Sequence, residues 1–403
     1  MNRLDKEATQ LVFRTLSSAA VCACLICALF SHPLYSQAKN DSPQSVRKAR
    51  STFPLTKFYE TPNLTPGNPG DLIRSETFDD YDLPFDVLAV RILYHSRSAQ
   101  GQDVPASGVV LYPDAKPPAG GWPVIALAHD LNGVARQCAP SLARNVLHGP
   151  FLAMYVKLGY AVVATDYAGL GTSARNAFTD AKSNAGDVIY SVAAARAAAP
   201  KLNSRWIAIG IGEGGPAAVA IAESEHDIHD RNYLGSIAIS KLEDPQARFH
   251  DRPLFLAYGV KTVYPDFHPE DILTARALSL YAQVERSCSE PRADESGQSP
   301  ELLKPDWAAS KFVQEYFKRN TLGESPAHGP LLVITAGSGP STAMNATAKT
   351  IDRLCKQGDR VQFSSYPQSE AGTVFGDSVR EQISWIQARF NGATEESNCS
   401  KQR

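Results

Sequence analysis

The sequence predicts an α/β fold in which a mostly parallel central sheet is flanked by helices and interrupted by an inserted helical cap. Three observations carry that prediction. Short apolar runs at residues 124–128, 160–165, 206–209, 236–240 and 331–335 have the composition of strands buried on both faces. Helix-patterned stretches at residues 187–199, 216–224, 343–357 and 377–390 alternate with them, and strand–helix–strand alternation implies right-handed crossovers between parallel strands. Residues 242–329 break the rhythm with helical patterns and proline-marked polar loops, which marks an insertion.

Taken in order, residues 1–38 read as a signal peptide. A basic start (Arg3, Lys6, Arg14) precedes an apolar run over residues 16–30, and Ser36-Gln37-Ala38 supplies a small-x-small cleavage site. The run is short for a membrane span and Pro33 follows it, so no stable span is expected after cleavage. Leu25 to Phe30 carry the apolar run past Cys24, which argues against a lipoprotein anchor there. Residues 39–83, rich in Pro, Asn and Ser, read as an extended arm. The first part of the core then spans residues 84–241 and opens with antiparallel-type strands at 87–94 and 108–112. Beyond the cap, residues 330–403 return to the core with strands at 331–335 and 360–366.

With 403 residues, 43% of them hydrophobic and 20% charged, the chain has a globular composition. A net charge of -2 gives no basic stripe, so nucleic acid is not an expected partner. Of seven cysteines, Cys138, Cys288, Cys355 and Cys399 lie beyond the leader, and an even number in an exported chain points to two disulfides with three pairings open. No pair has C-x-x-C spacing, and the acidic and histidine run Glu223, Glu225, His226, Asp227, His229 and Asp230 reads as a solvated loop after a helix. No metal or other cofactor is therefore expected.

The chemistry-bearing segment is Gly210-Ile211-Gly212-Glu213-Gly214-Gly215, between a strand and a small-residue helix. Hydrolases place their nucleophile in this context, on a sharp turn at a helix N-terminus with the pattern G-x-S-x-G. Here both flanking glycines are present and the central residue is Gly212, which has nothing to attack with. Gly210, Gly212 and Gly215 also approximate a phosphate-binding G-x-G-x-x-G, with Asp230 near the expected acidic position, but several strands precede the match, whereas that fingerprint opens a nucleotide domain. In the hydrolase order the acid follows a late strand and the histidine follows the last. No histidine occurs after His328, so residues 331–403 supply no histidine base.

These residues resemble the microbial secretory lipases, the LIP-type family of α/β-hydrolases. The resemblance runs through Phe58-Tyr59, Pro69-Gly70-Asp71-Leu72-Ile73-Arg74, His129-Asp130, Cys138-Ala139-Pro140-Ser141, and Asp166-Tyr167 followed by Gly169-Leu170-Gly171-Thr172. It implies an α/β-hydrolase fold and puts the family's serine at Gly212, its acid at Gly339 and its histidine at Ala371, within Tyr366-Pro367-Gln368-Ser369-Glu370-Ala371-Gly372. It also implies oxyanion donors at Asp130 and at the backbone N–H of Glu213, and disulfides Cys138–Cys288 and Cys355–Cys399.

With all three triad positions degenerate, the expectation is an exported, secreted or periplasmic, lipase-like protein. It binds a lipid, acyl or ester small molecule without serine-hydrolase activity. Two alternatives stand beside it: an active lipase or esterase using other residues, such as Glu213 and Glu370 as an acid/base pair, and a structural or protein-interaction role.

Overall fold

The apolar runs become strands because both of their faces are covered. The structure, a computed structural model, describes residues 52–242, 245–246, 252–291, 302–337, 342–394 and 397–399; the expected signal peptide lies outside them. Among the described residues, β1 (Leu72–Thr77), β2 (Val87–Arg97), β3 (Asp103–Pro113), β4 (Trp122–Ala128), β5 (Ala161–Thr165), β6 (Leu202–Ile211), β7 (Tyr233–Ile239), β8 (Leu331–Ala336) and β9 (Val361–Tyr366) form one sheet. Its order is β1-β2-β3-β5-β4-β6-β7-β8-β9. Pairing is antiparallel from β1 to β5 and parallel from β5 to β9.

Alternation along β4 shows how the sheet divides the core. Val124, Ala126 and Ala128 join one hydrophobic cluster, Ile125 and Leu127 the other. The first is closed by α2 (Ala181–Ala198), α3 (Gly214–Ile228) and α7 (Thr342–Gln357); the second by α1 (Gly149–Lys157) and α9 (Val379–Phe390), which follows the single turn α8 (Val374–Asp377). Small residues make this possible, because α2 and α3 bury chiefly Ala and Gly against the strands and so approach the sheet closely.

Between β7 and β8 the chain leaves the sheet and forms α4 (Pro253–Val263), α5 (Ala275–Tyr281) and α6 (Lys311–Arg319). These helices share a third cluster, including Phe255, Phe267, Trp307 and Tyr316, with Val134, Ala177 and Phe178 from the loops beyond β4 and β5. Polar contacts hold the insertion together internally and tie its far end to the core. Glu290 accepts the N–H groups of Leu254 and Phe255 at the start of α4 (2.6 and 3.4 Å), and Arg319 clamps the buried N-cap of α2, Asp180 (2.6 and 2.9 Å). A disulfide joins Cys138, in the loop after β4, to Cys288 in the insertion; another joins Cys355 of α7 to Cys399.

Three local readings differ from the structure. β1 lies inside residues 39–83, which showed no strand periodicity, and pairs with β2 as an edge strand with half of its side chains exposed. Residues 149–157, unassigned in the sequence, form α1. The run from Glu223 to Asp230 is not a solvated loop: α3 continues to Ile228, Glu225 is fully buried, and Glu223 accepts the N–H of Gly323 at 2.6 Å.

Candidate functional site

The carboxyl ends of β4 and β6 meet where an open α/β sheet forms its ligand crevice. β6 ends at Ile211 and α3 starts at Gly214, so Gly212 and Glu213 make the whole turn. Gly212 has φ +54°, the left-handed conformation of a strained turn, and its N–H donates to the Ile239 carbonyl (3.0 Å). The flanking glycines are required by close approach, since a Cβ on Gly210 would lie 2.0 Å from the Gly214 carbonyl oxygen, and one on Gly214 2.1 Å from that of Ala128. The geometry of a nucleophile elbow is thus present without its side chain.

The space is occupied. A Cβ on Gly212 would lie 2.2 Å from Oδ1 and 2.3 Å from Cγ of Asp130, the second residue beyond β4. The carboxylate is held there by two backbone donors, Glu213 N–H at 2.9 Å and Leu131 N–H at 2.7 Å, both to Oδ1. Glu213 is the N-cap of α3, so the positive end of the helix dipole also favours an anion at this point. The structure therefore brings Asp130 and Glu213 together, with the carboxylate of Asp130 accepting the N–H of Glu213. The sequence reading missed this role of the Asp130 side chain.

His129, beside it, is not available as a base toward the elbow. It is buried; its Nδ1–H donates to the Asp130 carbonyl (2.6 Å) and Nε2 lies 3.2 Å from the Asp166 carbonyl. Its ring stacks on Tyr167 at 4.2 Å, and the Tyr167 hydroxyl donates to the His129 carbonyl (3.2 Å). Burial pushes its pKa down to about 4, so the imidazole is neutral at pH 7. Below this layer lie two buried carboxylates. Asp166 accepts from Ser107 Oγ, Ser141 Oγ and Ser141 N–H, and burial raises its pKa to about 6. Asp187 accepts from Ser96 Oγ and Ala168 N–H, and burial raises it to about 7. Asp166, the first residue after β5, ties that loop to Ser107 and Ser141, and Asp187 holds it at Ala168.

Of the other residues singled out, Ala371 lies in the exposed loop that leaves β9, and Gly339 is outside the described residues. Glu370 is exposed in the same loop. Among the described residues no group of three or more His, Cys, Asp or Glu is placed to hold a metal ion, and no helix is long and apolar enough to cross a membrane. At the same edge of the sheet, a cavity of about 670 Å³ opens between the β2–β3 hairpin, the loop after β5 and the inserted helices, with Val104, Ala168, Tyr258 and Tyr281 in its wall.

Sheet order, helix layers and elbow define the class: the chain has the α/β-hydrolase fold. No family model matches the sequence, and no curated protein does. Among solved structures, Candida antarctica lipase A is similar with a TM-score of 0.69 at 18% identity, over 86% of this chain and 89% of that one. A ligand-bound form of the rice cell wall degrading esterase LipA from Xanthomonas oryzae is similar with a TM-score of 0.63 at 18% identity, over 80% and 98%. At such identity the likeness is one of fold.

Proposed function

We propose that this is an exported member of the secretory lipase group that has lost hydrolysis and holds a lipid, acyl or ester ligand instead of cleaving it. The observation that carries this reading is the Asp130 carboxylate, seated where a nucleophile's side chain would stand and bonded to the Glu213 N–H. Acyl transfer needs a nucleophile, a base and free N–H donors for the developing oxyanion. Gly212 supplies no nucleophile, Ala371 no base, and one of the two expected oxyanion donors, the Glu213 N–H, is engaged by the Asp130 carboxylate. Gly339, at the acid position, is in keeping with this. The retained disulfides and the leader-like residues 1–38 support export. Lipase and esterase neighbours support an amphiphilic or ester ligand.

Native mass spectrometry of the freshly purified mature protein tests the binding half of the proposal. A co-purified lipid-sized mass is expected. Absence of any such mass, with no thermal shift from added acyl esters or amphiphiles, would overturn it and favour an interaction role for the molecular surface.

A further inference from the structure

The cavity of about 670 Å³ is separate from the elbow: Asp130, Gly212 and Glu213 take no part in its wall. Three pieces of chain enclose it, and each is tied to a neighbour. Gln100, at the tip of the β2–β3 hairpin, donates its side-chain amide to the carbonyls of Thr262 and Val263 at the end of α4 (2.9 and 2.6 Å). Arg175, in the loop after β5, pairs with Glu285 of the insertion at 2.7 Å. The walls are thus joined before any ligand arrives, around a volume in the range of small-molecule sites.

The lining joins an apolar floor to polar groups that have no partner. Val104, Ala168 and the ring of Tyr258 supply the apolar surface. Tyr258 is 4% exposed, yet its hydroxyl has no hydrogen-bond partner among the described residues, and neither has that of half-buried Tyr281. Enclosed phenols ordinarily find a partner. Burial raises the pKa of Tyr258 to about 12 and raises that of Tyr281 too, so both remain O–H groups at neutral pH, able to donate and to accept. On the outer wall the side chains of Gln102, His268 and Glu270 are likewise without a hydrogen bond or ion pair among the described residues. Formal charges cancel: Arg175 and Lys261 stand against Glu270 and Glu285, and Lys261 donates to the Pro265 carbonyl (2.7 Å).

An ionic ligand meets no surplus of opposite charge in such a wall, and a hydrocarbon leaves the phenols without partners. A sugar ring answers both demands, because its C–H face packs on aromatic and aliphatic surface while its hydroxyls give and accept hydrogen bonds at the rim. We propose that this cavity is a second ligand site, for a neutral sugar, with the hydroxyls of Tyr258 and Tyr281 as its central hydrogen-bonding pair. This goes beyond the reading of the elbow and does not depend on it.

Saturation-transfer NMR and calorimetric titration of the purified protein test it. The probes are the methyl glycosides of glucose, galactose, mannose and xylose, with glucuronate, glucosamine and octanol as charged and apolar comparators. At least one neutral glycoside is expected to bind with millimolar affinity or better, and more tightly than every comparator. Tyr258→Phe, which keeps the buried ring and removes only the hydroxyl, is expected to weaken that glycoside roughly three- to tenfold. Tyr281→Phe gives an independent reading of the same loss should Tyr258→Phe melt below the wild type. Binding of none of the four glycosides, affinity unchanged in both Phe variants, or tighter binding of glucuronate, glucosamine or octanol would each overturn the proposal. Ester turnover, or absence of a co-purified lipid, bears on the elbow alone, so the two failures are distinguishable.

Discussion

At position 212 a side chain and the Asp130 carboxylate compete for one volume: a Cβ there would sit 2.2 Å from Oδ1. Gly212→Ser therefore has to expel the carboxylate from its two N–H donors and place a non-glycine residue at φ +54°. The strain alone costs about 1–2 kcal/mol. The variant is expected to melt several degrees below the wild type and to hydrolyse no ester, and adding Gly339→Asp and Ala371→His restores activity only if Asp130 is also made small. Recovery with serine alone, read with p-nitrophenyl butyrate, would contradict the geometry. The sequence showed the missing serine but not its replacement, because a carboxylate from the end of β4 reaches the turn after β6 only through the parallel pairing of those strands. A buried acid gives a second prediction at this scale. Asp187 has a folded pKa raised to about 7, so its contribution to stability is present at low pH and is lost as pH rises through the folded value. Between about pH 4 and pH 8, wild-type stability is expected to fall relative to Asp187→Asn, followed by urea titration across pH. A flat difference would mean that the carboxyl is solvated.

Among the elements, the insertion is tied to the core by a disulfide and an ion pair as well as by a shared apolar cluster. The Cys138–Cys288 bridge closes 150 residues of chain and anchors the loop that carries Asp130. Replacing both cysteines by alanine is expected to cost roughly 2–5 kcal/mol in denaturant unfolding and to loosen hydrogen-exchange protection at Leu131. Arg319→Ala leaves Asp180 buried without its guanidinium partner and is expected to cost roughly 3–5 kcal/mol, detaching α6 from α2; a loss under about 1 kcal/mol would mean that the pair is decorative. The strongly apolar strands β4 to β8 were legible because burial on both faces leaves a continuous signal. β1 was not, since an edge strand with two-sided exposure, Leu72–Thr77, lacks any clean alternation. α1 was hidden by Gly149, Pro150 and Gly159, which look like loop punctuation although Pro at a first helical turn is well tolerated. The Glu223–Asp230 run read as loop because its polarity outweighed its place in α3, where burial raises the pKa of Glu225 to about 7.

Across the whole molecule, the α/β-hydrolase fold surrounds a strand–turn–helix corner whose central residue is Gly212. The sheet order, two disulfides and the tight glycine packing around Gly210 and Gly214 are intact, and none of these depends on a serine at position 212. A fold of this size draws its stability from the clusters on both faces of the sheet, and glycine at position 212 adopts its left-handed φ without strain. The expectation at this scale is a cooperatively folded, export-competent protein without turnover. The most direct test is hydrolysis of short- and long-chain p-nitrophenyl esters by the purified mature protein, measured against the heat-denatured protein and accompanied by a fluorophosphonate probe read by intact mass. No rate above the denatured control and no mass increment are predicted. A saturable rate, or a single stoichiometric adduct, would show that a nucleophile survives and contradict the account.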